Sequence, residues 1–377
     1  MTRPLAGPQT LLRSLNARAL LEALARRGRL TRAELMQETG LSRTAVTQVL
    51  RMLEAADFVV PAGEDRATKG PAATRVSLHP HLGFAAAVHL DHHTAHVVIV
   101  DPSGKVRAQD SAPVPTGRER ADAIAGLIDG CRRSAPLHAV IVGAPGVVTA
   151  DGQVRDDLGP DGGALRQTLG DLLGCPVRIE NDVNLAALAE LSGPVGDDTT
   201  SFALLTVLDD GMGAGIVIDG VLHRGASGLA GEVQYVPQTP LPVGAPVLND
   251  EVIADLALAH GSDPARGLSG QLAAAEDGDP AAGEVVAEVA RRIVLTCGTI
   301  ALVLDPEVFV LAGAATHPQL AGAVRKVAAE FADRLPLRFT TAAFGTEAPL
   351  VGAISQAAAA LRSTLFGRAL SPEGRRR

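Results

Sequence analysis

Aromatic residues are scarce in this chain of 377 residues, which has no tryptophan, one tyrosine and eight phenylalanines. Hydrophobic residues nevertheless make up 46% of the sequence, so a large core must be built mainly from small aliphatic side chains. Glycine-rich turns separate runs of valine, isoleucine and leucine, and this pattern favours an α/β fold and excludes a disordered chain. The length allows two or three domains.

Cysteines and long apolar runs are also few. The three cysteines, Cys131, Cys175 and Cys297, are far apart and match no disulfide framework or zinc spacing, so we interpret them as buried small hydrophobic residues. No uncharged apolar run reaches about eighteen residues, the length that a membrane span needs, and the N-terminus lacks the apolar region of a secretory signal. We therefore expect a cytoplasmic protein with no membrane partner.

Basic charge is concentrated at the N-terminal end. Residues 1–75 carry twelve lysines and arginines against seven aspartates and glutamates, a net charge of +5, whereas the whole chain has a net charge of −8. The rest of the chain therefore carries −13. A basic module joined to an acidic body is typical of a protein whose smaller part binds nucleic acid.

The segment 29–51, RLTRAELMQETGLSRTAVTQVLR, has the pattern of two short helices joined by a tight turn. Thr31 and Glu34 are placed to cap the first helix reciprocally, and Gly40 follows its end, where glycine adopts a left-handed backbone at little cost. Ser42 is placed to cap the second helix. The segment therefore predicts a helix-turn-helix.

The second helix has an apolar face and a polar face. Its apolar positions recur at helical spacing, at Val46, Val49, Leu50 and Leu53. The opposite face mixes cations, hydroxyls and an amide, which suit phosphate oxygens and base edges in a major groove. The alternative is an ordinary helix pair with a solvated charged face, and the basic charge of the N-terminal end favours DNA binding over it. The DNA contacts that we predict here are Thr31, Ser42, Arg43, Thr44, Thr47, Gln48 and Arg51.

A first helix at 9–27 and two short strands at 58–60 and 75–78 complete a winged helix-turn-helix domain, which we place at residues 1–78. The loop between the strands could reach a neighbouring minor groove as a wing. A mobile hairpin without DNA contacts is the alternative. The wing residues that we predict to contact DNA are Arg66, Lys69 and Gly70.

Strands and helices alternate in the rest of the chain, where we place a linker at 79–83, a body at 84–369 and a basic tail at 370–377. Glycine turns separate the predicted strands, and 209–215 is predicted to be such a turn. The other predicted elements are two strands with a bend between them at 84–101, a strand opening at Val106, a helix at 118–132, strands at 139–142, 176–179, 202–208, 216–218 and 308–311, and helices at 183–191, 284–304 and 350–361.

Several motifs in this order resemble one family over essentially the whole chain. They are Asn16, the turn at 31–51, GAPGVV at 143–148, ENDVNLAALAE at 180–190, GMGAGIVIDGVLHRGASGLAGEV at 211–233 and LDPEVFVLAG at 304–313. Together they are similar to the transcriptional regulators of the ROK family (repressor, open reading frame, kinase). The resemblance implies a winged helix-turn-helix joined to a two-lobed body of the actin/hexokinase type, with a ribonuclease H-like α/β fold.

The chain departs from the kinase members of that family where they bind nucleotide. Their first phosphate loop, Asp-x-Gly-Gly-Thr, lets backbone amides approach phosphate and supplies a carboxylate for the metal. Here the aligned residues run from His89 to His93, as HLDHH. The second loop keeps its glycines but has Asp210 where the family has threonine, and Ala312 replaces a glycine before Gly313. We therefore predict that the protein is not an enzyme and needs no cofactor.

The resemblance also implies a sugar site. Asp182 occupies the position of the family's general base, and Asn181 and Glu232 match positions that hydrogen-bond sugar hydroxyls. Tyr235 replaces the family's histidine, and the cysteines of its zinc motif are absent, so we predict no metal there. The alternative for Asn181 and Asp182 is a helix cap kept for folding. The effector-binding residues that we predict are Gly146, Asn181, Asp182, Glu232 and Tyr235.

The histidines between His89 and His96 permit two interpretations. On one strand, His89, Asp91 and His93 would share a face and could hold a divalent metal or sense pH. The other interpretation, which we favour, places two of the histidines in a solvent-facing bend.

These features predict a DNA-binding transcriptional regulator of the repressor type, with a degenerate sugar-kinase-like body that senses an effector and forms oligomers. Its expected partners are double-stranded operator DNA, a sugar or sugar derivative, and further copies of itself in a homodimer or homotetramer. The alternatives are an active carbohydrate kinase with an extra DNA-binding domain, and a constitutive DNA binder whose body is only a dimerisation scaffold.

Overall fold

The structure is a computed structural model that describes residues 8–65, 73–91, 93–117, 119–132, 135–149, 152–155 and 164–370. Its helices are α1 (Pro8–Arg27), α2 (Arg32–Thr39), α3 (Arg43–Ala55), α4 (Glu119–Arg132), α5 (Leu165–Leu173), α6 (Asp182–Leu191), α7 (Pro194–Asp198), α8 (Asp250–His260), α9 (Gly267–Glu276), α10 (Pro280–Leu304), α11 (Pro318–Ala329) and α12 (Ala348–Leu370). None of these helices is long and apolar enough to cross a membrane, as far as the described residues go.

The strands form two small sheets and two larger ones. They are β1 (Leu30–Thr31), β2 (Val59–Asp65), β3 (Ala73–Leu78), β4 (Phe84–Leu90), β5 (Thr94–Val100), β6 (Val106–Pro113), β7 (Leu137–Ala144), β8 (Val147–Val148), β9 (Val154–Arg155), β10 (Val177–Asn181), β11 (Phe202–Leu208), β12 (Gly211–Ile218), β13 (Val221–His223), β14 (Val308–Gly313) and β15 (Phe339–Thr341).

The N-terminal winged helix-turn-helix is confirmed, and its sheet is larger than predicted. β2 and β3 pair in antiparallel register, with an irregularity between Pro61 and Glu64, and β1 adds a third strand on the other edge of β3. β1 was not predicted because its two residues are too short for a periodic signal. The predicted wing residues lie in the segment 66–72, outside the described residues: Arg66, Lys69 and Gly70.

The body is an α/β fold with two lobes, as predicted. The first lobe is a five-stranded sheet in the order β10-β7-β4-β5-β6, and the second is a five-stranded sheet in the order β13-β12-β11-β14-β15. In each sheet antiparallel hairpin strands adjoin parallel strands. α4 and α5 cover the outer face of the first sheet, α8 to α11 cover the outer face of the second, and α6 and α12 pack between the two.

The glycine segment at 211–215 is a strand rather than the predicted turn, because its glycines serve helix packing. A Cβ atom on Gly215 would lie 2.5 Å from the Cβ of Ala187 and 2.8 Å from the carbonyl oxygen of Val183, both on α6. These glycines therefore let α6 approach β12 closely, and of the predicted turn only Asp209 and Asp210 form one. The other strands and helices predicted for the body are confirmed, with α12 extending well beyond residue 361.

The N-terminal domain and the body share a continuous core. One cluster of buried side chains includes Leu20 and Leu24 from α1 as well as Leu361 and Phe366 from α12. At the rim of this contact the Arg362 guanidinium donates to the carbonyl oxygen of Pro102 at 3.1 Å and lies 3.6 Å from the Glu22 carboxylate. The boundaries at 78 and 84 stay a prediction, and α12 runs into the predicted tail, whose residues 371–377 lie outside the described residues.

Two of the three cysteines are buried, as predicted, and Cys131 is half-buried. Burial raises the pKa of the Cys297 thiol far above its ordinary range. It also raises the pKa of Cys175. Both thiols therefore act as small apolar side chains in the core.

Candidate functional site

Side-chain caps fix both helices of the helix-turn-helix. The Thr31 hydroxyl accepts from the Glu34 N–H at 3.2 Å, and the Glu34 carboxylate accepts from the Thr31 N–H at 2.7 Å, which is the reciprocal box that the sequence predicts. Gly40 ends α2 with a left-handed φ of 68°. The Ser42 hydroxyl then accepts from the Ala45 N–H at 3.3 Å and starts α3. The angle between α2 and α3 is therefore set by local hydrogen bonds as well as by the core.

The polar face of α3 points to solvent. Its exposed side chains are Ser42, Arg43, Thr44, Gln48 and Arg51, while Thr47 is half-buried. Thr31 is the exception among the predicted DNA contacts, because it is only 7% exposed and its hydroxyl is engaged in the cap. We correct its role to a helix cap that acts on DNA binding only through the position of α2.

A groove of about 740 Å³ runs beside α3, and α1 supplies its other wall. Arg13 and Asn16 on α1 face Gln48 and Arg51 on α3 across this groove. The sequence singled out Asn16 only as a family motif and missed Arg13, because helical periodicity does not tell which neighbouring helix a polar face adjoins. The candidate surface is therefore formed by α1 and α3 together.

The predicted effector residues meet in one cleft between the two lobes. Gly146 follows β7, Asn181 ends β10, Asp182 begins α6, and Glu232 and Tyr235 follow β13. All five line a single cavity of about 260 Å³, although they lie as far as 89 positions apart in the sequence. Tyr235 is 53% exposed and lies at the mouth of the cleft.

The two polar residues at the start of α6 have structural partners as well as positions in the cleft. The Asn181 side chain accepts from the Asn184 N–H at 3.0 Å and donates to the carbonyl oxygen of Gly146 at 3.0 Å. The Asp182 carboxylate accepts from the Val183 N–H at 2.7 Å. Asn181 is thus a helix cap, and it also ties the two walls of the cleft together.

The side of the cleft next to the turn between β11 and β12 contains a side chain, Gln234, that the sequence did not single out. The Oε1 of Gln234 accepts from the Met212 N–H at 3.4 Å, and a Cβ on Gly211 would collide with the same amide. Asp210 lines the cavity beside these residues. The sequence places Gln234 two positions after Glu232, but it does not show the direction of the Gln234 side chain.

A buried ion pair supports the cleft from below. The Glu180 carboxylate is 6% exposed and accepts from the Arg224 guanidinium at 2.7 and 2.6 Å. Its other oxygen accepts from the side chain of Asn184 at 3.0 Å. The pair joins β10 to the segment after β13, so it holds the Asn181 end of the cleft against the Glu232 end.

The histidines of the first loop form a pair instead of a row. His89 and His96 face each other across β4 and β5, with ring centroids 6.2 Å apart. Burial lowers the pKa of His89, the neighbouring His96 lowers it further, and Asp91 and Glu347 oppose the shift. His93 lies in the exposed bend, as the favoured interpretation has it, and His92 lies outside the described residues. In the part of the chain that the structure describes, no three His, Cys, Asp or Glu side chains are grouped to hold a metal ion.

Two family models match the chain, one on each part. The model of the ROK family matches residues 85–360, and a model of winged helix-turn-helix DNA-binding domains matches residues 13–60. Among solved structures, the chain is similar to a ROK family transcriptional regulator described as a homologue of E. coli MLC, with a TM-score of 0.70 and 20% identity over 95% of this chain and 99% of that one. ROK hexokinase and glucokinase structures also match, over 73% of this chain.

Two curated relatives differ in how much of their length is matched. The DNA-binding transcriptional dual regulator NagC of Escherichia coli is 25% identical over 339 residues, which are 82% of this chain and 83% of NagC. An uncharacterized protein of Clostridium perfringens is 32% identical over 151 residues, which are 40% of this chain and half of that protein. Of these two relatives, the one that is matched over most of its length is a regulator.

Proposed function

This chain belongs to the ROK family, and we propose that it is a transcriptional regulator of the repressor type whose N-terminal domain binds operator DNA and whose body senses a sugar. The observation that carries the proposal is the exposed polar face of α3, fixed by two side-chain caps and continued by α1. NagC, which is similar to 82% of this chain, is a DNA-binding transcriptional regulator.

The proposal includes a symmetric homodimer or homotetramer. One recognition helix contacts only a few base pairs, so two heads on a palindromic operator are needed for specific binding in a genome. The body supplies the assembly, and two-fold symmetry is the usual form of such assemblies. A sugar that closes the cleft would then change the distance between two heads.

The body is proposed to have lost phosphoryl transfer. His89 stands where kinase members carry the aspartate of the first phosphate loop, Asp210 adds a negative charge at the second loop, and Gln234 covers the Gly211–Met212 backbone. The rival function is an active carbohydrate kinase, and the retained carboxylate of Asp182 favours it. Sugar-dependent ATP hydrolysis that Asp182→Asn abolishes would establish the rival.

A DNA-binding test uses the full chain and duplexes that it selects from a random library. We expect Arg43→Ala and Gln48→Ala each to weaken binding by about 5- to 150-fold, since a base-directed side chain contributes ~1–3 kcal/mol of discrimination. Arg325→Ala, an exposed cation on α11, is the control and should bind like the unaltered protein. Selection of no sequence, or equal affinity for all three variants, would refute the proposed DNA surface.

A further inference from the structure

We propose that the cleft takes a sugar without phosphate, either uncharged or carrying an ammonium group, and that Gln234 and Asp210 exclude phosphorylated ligands. The inference deepens the proposed function and depends on its sugar-sensing part. Gln234 is thereby assigned as a specificity-determining residue of the cleft.

The first argument is the occupation of the backbone that would receive a phosphate. A glycine turn binds phosphate through exposed N–H groups that an oxygen can approach closely. Here the Oε1 of Gln234 already accepts from the Met212 N–H, and it lies so close to Gly211 that a Cβ on this glycine would overlap it. The backbone of Gln234 is fixed as well, because its carbonyl oxygen accepts from the Val247 N–H at 2.7 Å. An incoming phosphate would have to displace this amide.

The second argument is a neighbouring carboxylate that occupies another set of donors. Asp209 accepts from both the N–H and the hydroxyl of Ser269 at 3.2 Å, in the first turn of α9. Two N–H groups next to the turn between β11 and β12, those of Met212 and Ser269, therefore already bind protein oxygens. A phosphate that bound to either N–H would have to break an existing hydrogen bond.

The third argument is the charge of the cleft wall. Three carboxylates line the cavity, those of Asp182, Asp210 and Glu232, and its described lining residues include no lysine, arginine or histidine. The nearby Arg224 is held by Glu180 in the ion pair below the cleft, so its charge is balanced. A phosphate carries a charge of roughly −1.5 to −2 at neutral pH and would be repelled by the exposed carboxylate of Asp210, whereas an ammonium group would be attracted to it.

The size of the cleft sets the rest of the ligand class. Its volume of about 260 Å³ lies just below the range of roughly 300–1,000 Å³ for small-molecule sites, so it suits one sugar ring rather than an oligosaccharide. The amide of Asn181 and the carboxylates of Asp182 and Glu232 offer the donors and acceptors that hydroxyl groups need. The predicted ligand is therefore a neutral monosaccharide or an amino sugar with a free amine.

The test compares matched ligands by titration calorimetry on the full chain. Glucose, mannose and galactose are each titrated as the free sugar, the 2-amino sugar and the 6-phosphate. We expect at least one free or amino sugar to bind and its phosphate to bind at least tenfold more weakly. The advantage of the amine over the free sugar should shrink as salt is raised from about 0.05 to 0.5 M, because salt screens the carboxylates.

Two variants separate the parts of the exclusion. Asp210→Asn removes one charge at an exposed position without changing the shape of the side chain, and Gln234→Gly uncovers the Gly211–Met212 backbone. Both variants should reduce the difference in affinity between a free sugar and its 6-phosphate, and the double variant should reduce this difference by at least tenfold. Val243→Ala, at a side chain that is 90% exposed, is the control and should leave this difference in affinity unchanged.

The outcomes distinguish this inference from the function beneath it. The inference is wrong, and sugar sensing stands, if a 6-phosphate binds as tightly as its free sugar. The same holds if the double variant leaves the difference in affinity between the two unchanged. If no sugar, amino sugar or phosphate binds, sugar sensing fails and the inference fails with it, while DNA binding by the N-terminal domain is untouched.

Discussion

A single methyl group at Gly352 should disturb the layer between the two lobes. Gly352 lies on α12 where this helix crosses α6, and a Cβ there would lie 2.6 Å from the carbonyl carbon of Leu185 and closer still to its oxygen. Real Cβ atoms essentially never come within 3.0 Å of another heavy atom. Since the obstructing group is helix backbone and cannot rotate away, Gly352→Ala must push α12 away from α6.

The size of the effect follows from the geometry and from helix propensity. Restoring an ordinary contact requires the two helices to separate by roughly 1 Å, which opens a packed interior along their whole crossing. Overpacking of this kind costs ~1–3 kcal/mol or more, and the gain from replacing a helical glycine by alanine returns up to ~1 kcal/mol. Because the obstructing group is backbone, the overpacking cost lies at the upper end of that range, and after the helical gain we expect the free energy of unfolding to fall by about 2 kcal/mol.

The assay is urea denaturation followed by circular dichroism, with a matched variant on the same helix. Gly367 also lies on α12, but nothing is within 4 Å of its Cβ position, so Gly367→Ala should be neutral or stabilising by up to ~1 kcal/mol. Equal stability of Gly352→Ala and Gly367→Ala would refute the reasoning, because it would mean that α6 and α12 are not held at the observed distance.

Two further predictions concern charge. The pKa of His89 is lowered below the usual 6.5, so the unfolded chain binds a proton at this residue more readily than the folded chain, and stability that is present above pH 6.5 is lost as the pH falls. In urea melts at a series of pH values, His89→Gln should therefore lose less stability on acidification than the unaltered protein. The same dependence of stability on pH in both proteins would contradict this. Arg224→Met should cost ~1–3 kcal/mol of stability, less than for a fully buried pair because Arg224 is partly exposed. Adding Glu180→Gln to Arg224→Met should recover part of that loss, because it removes the unpaired charge. If the two substitutions change the free energy of unfolding additively, the pairing of Glu180 with Arg224 is contradicted.

The helix-turn-helix was predictable because its signals are local. The capping pair Thr31 and Glu34, the left-handed Gly40 and the cap Ser42 all act within four residues, and each is found as predicted. The predicted DNA contact of Thr31 shows the limit of local signals. The Thr31 hydroxyl is engaged in the helix cap, and the residue is buried beside β3, which lies far along the sequence.

The cleft was predictable in its membership and unpredictable in its details. Resemblance brought Asn181, Asp182 and Glu232 to one site, because a family motif carries tertiary information that periodicity does not. The direction of the Gln234 amide and the pairing of Glu180 with Arg224 depend on contacts between distant strands. The glycines of β12 were predicted to form a turn because the local sequence does not show that α6 packs closely against this strand.

Communication between the cleft and the N-terminal domain requires an element that touches both, and α6 with α12 meets this requirement. Asp182 begins α6 in the cleft, and the buried carboxylate of Glu190 near its other end accepts from the N–H groups of Ala343 and Phe344, just before α12. α12 then ends against α1, where Arg362 contacts Glu22. A ligand shifts a conformational equilibrium only by its different affinity for the two states. We propose that cleft closure reaches the DNA-binding surface through the α6–α12 contact, so Gly352→Ala should weaken the response of DNA binding to sugar as well as the fold.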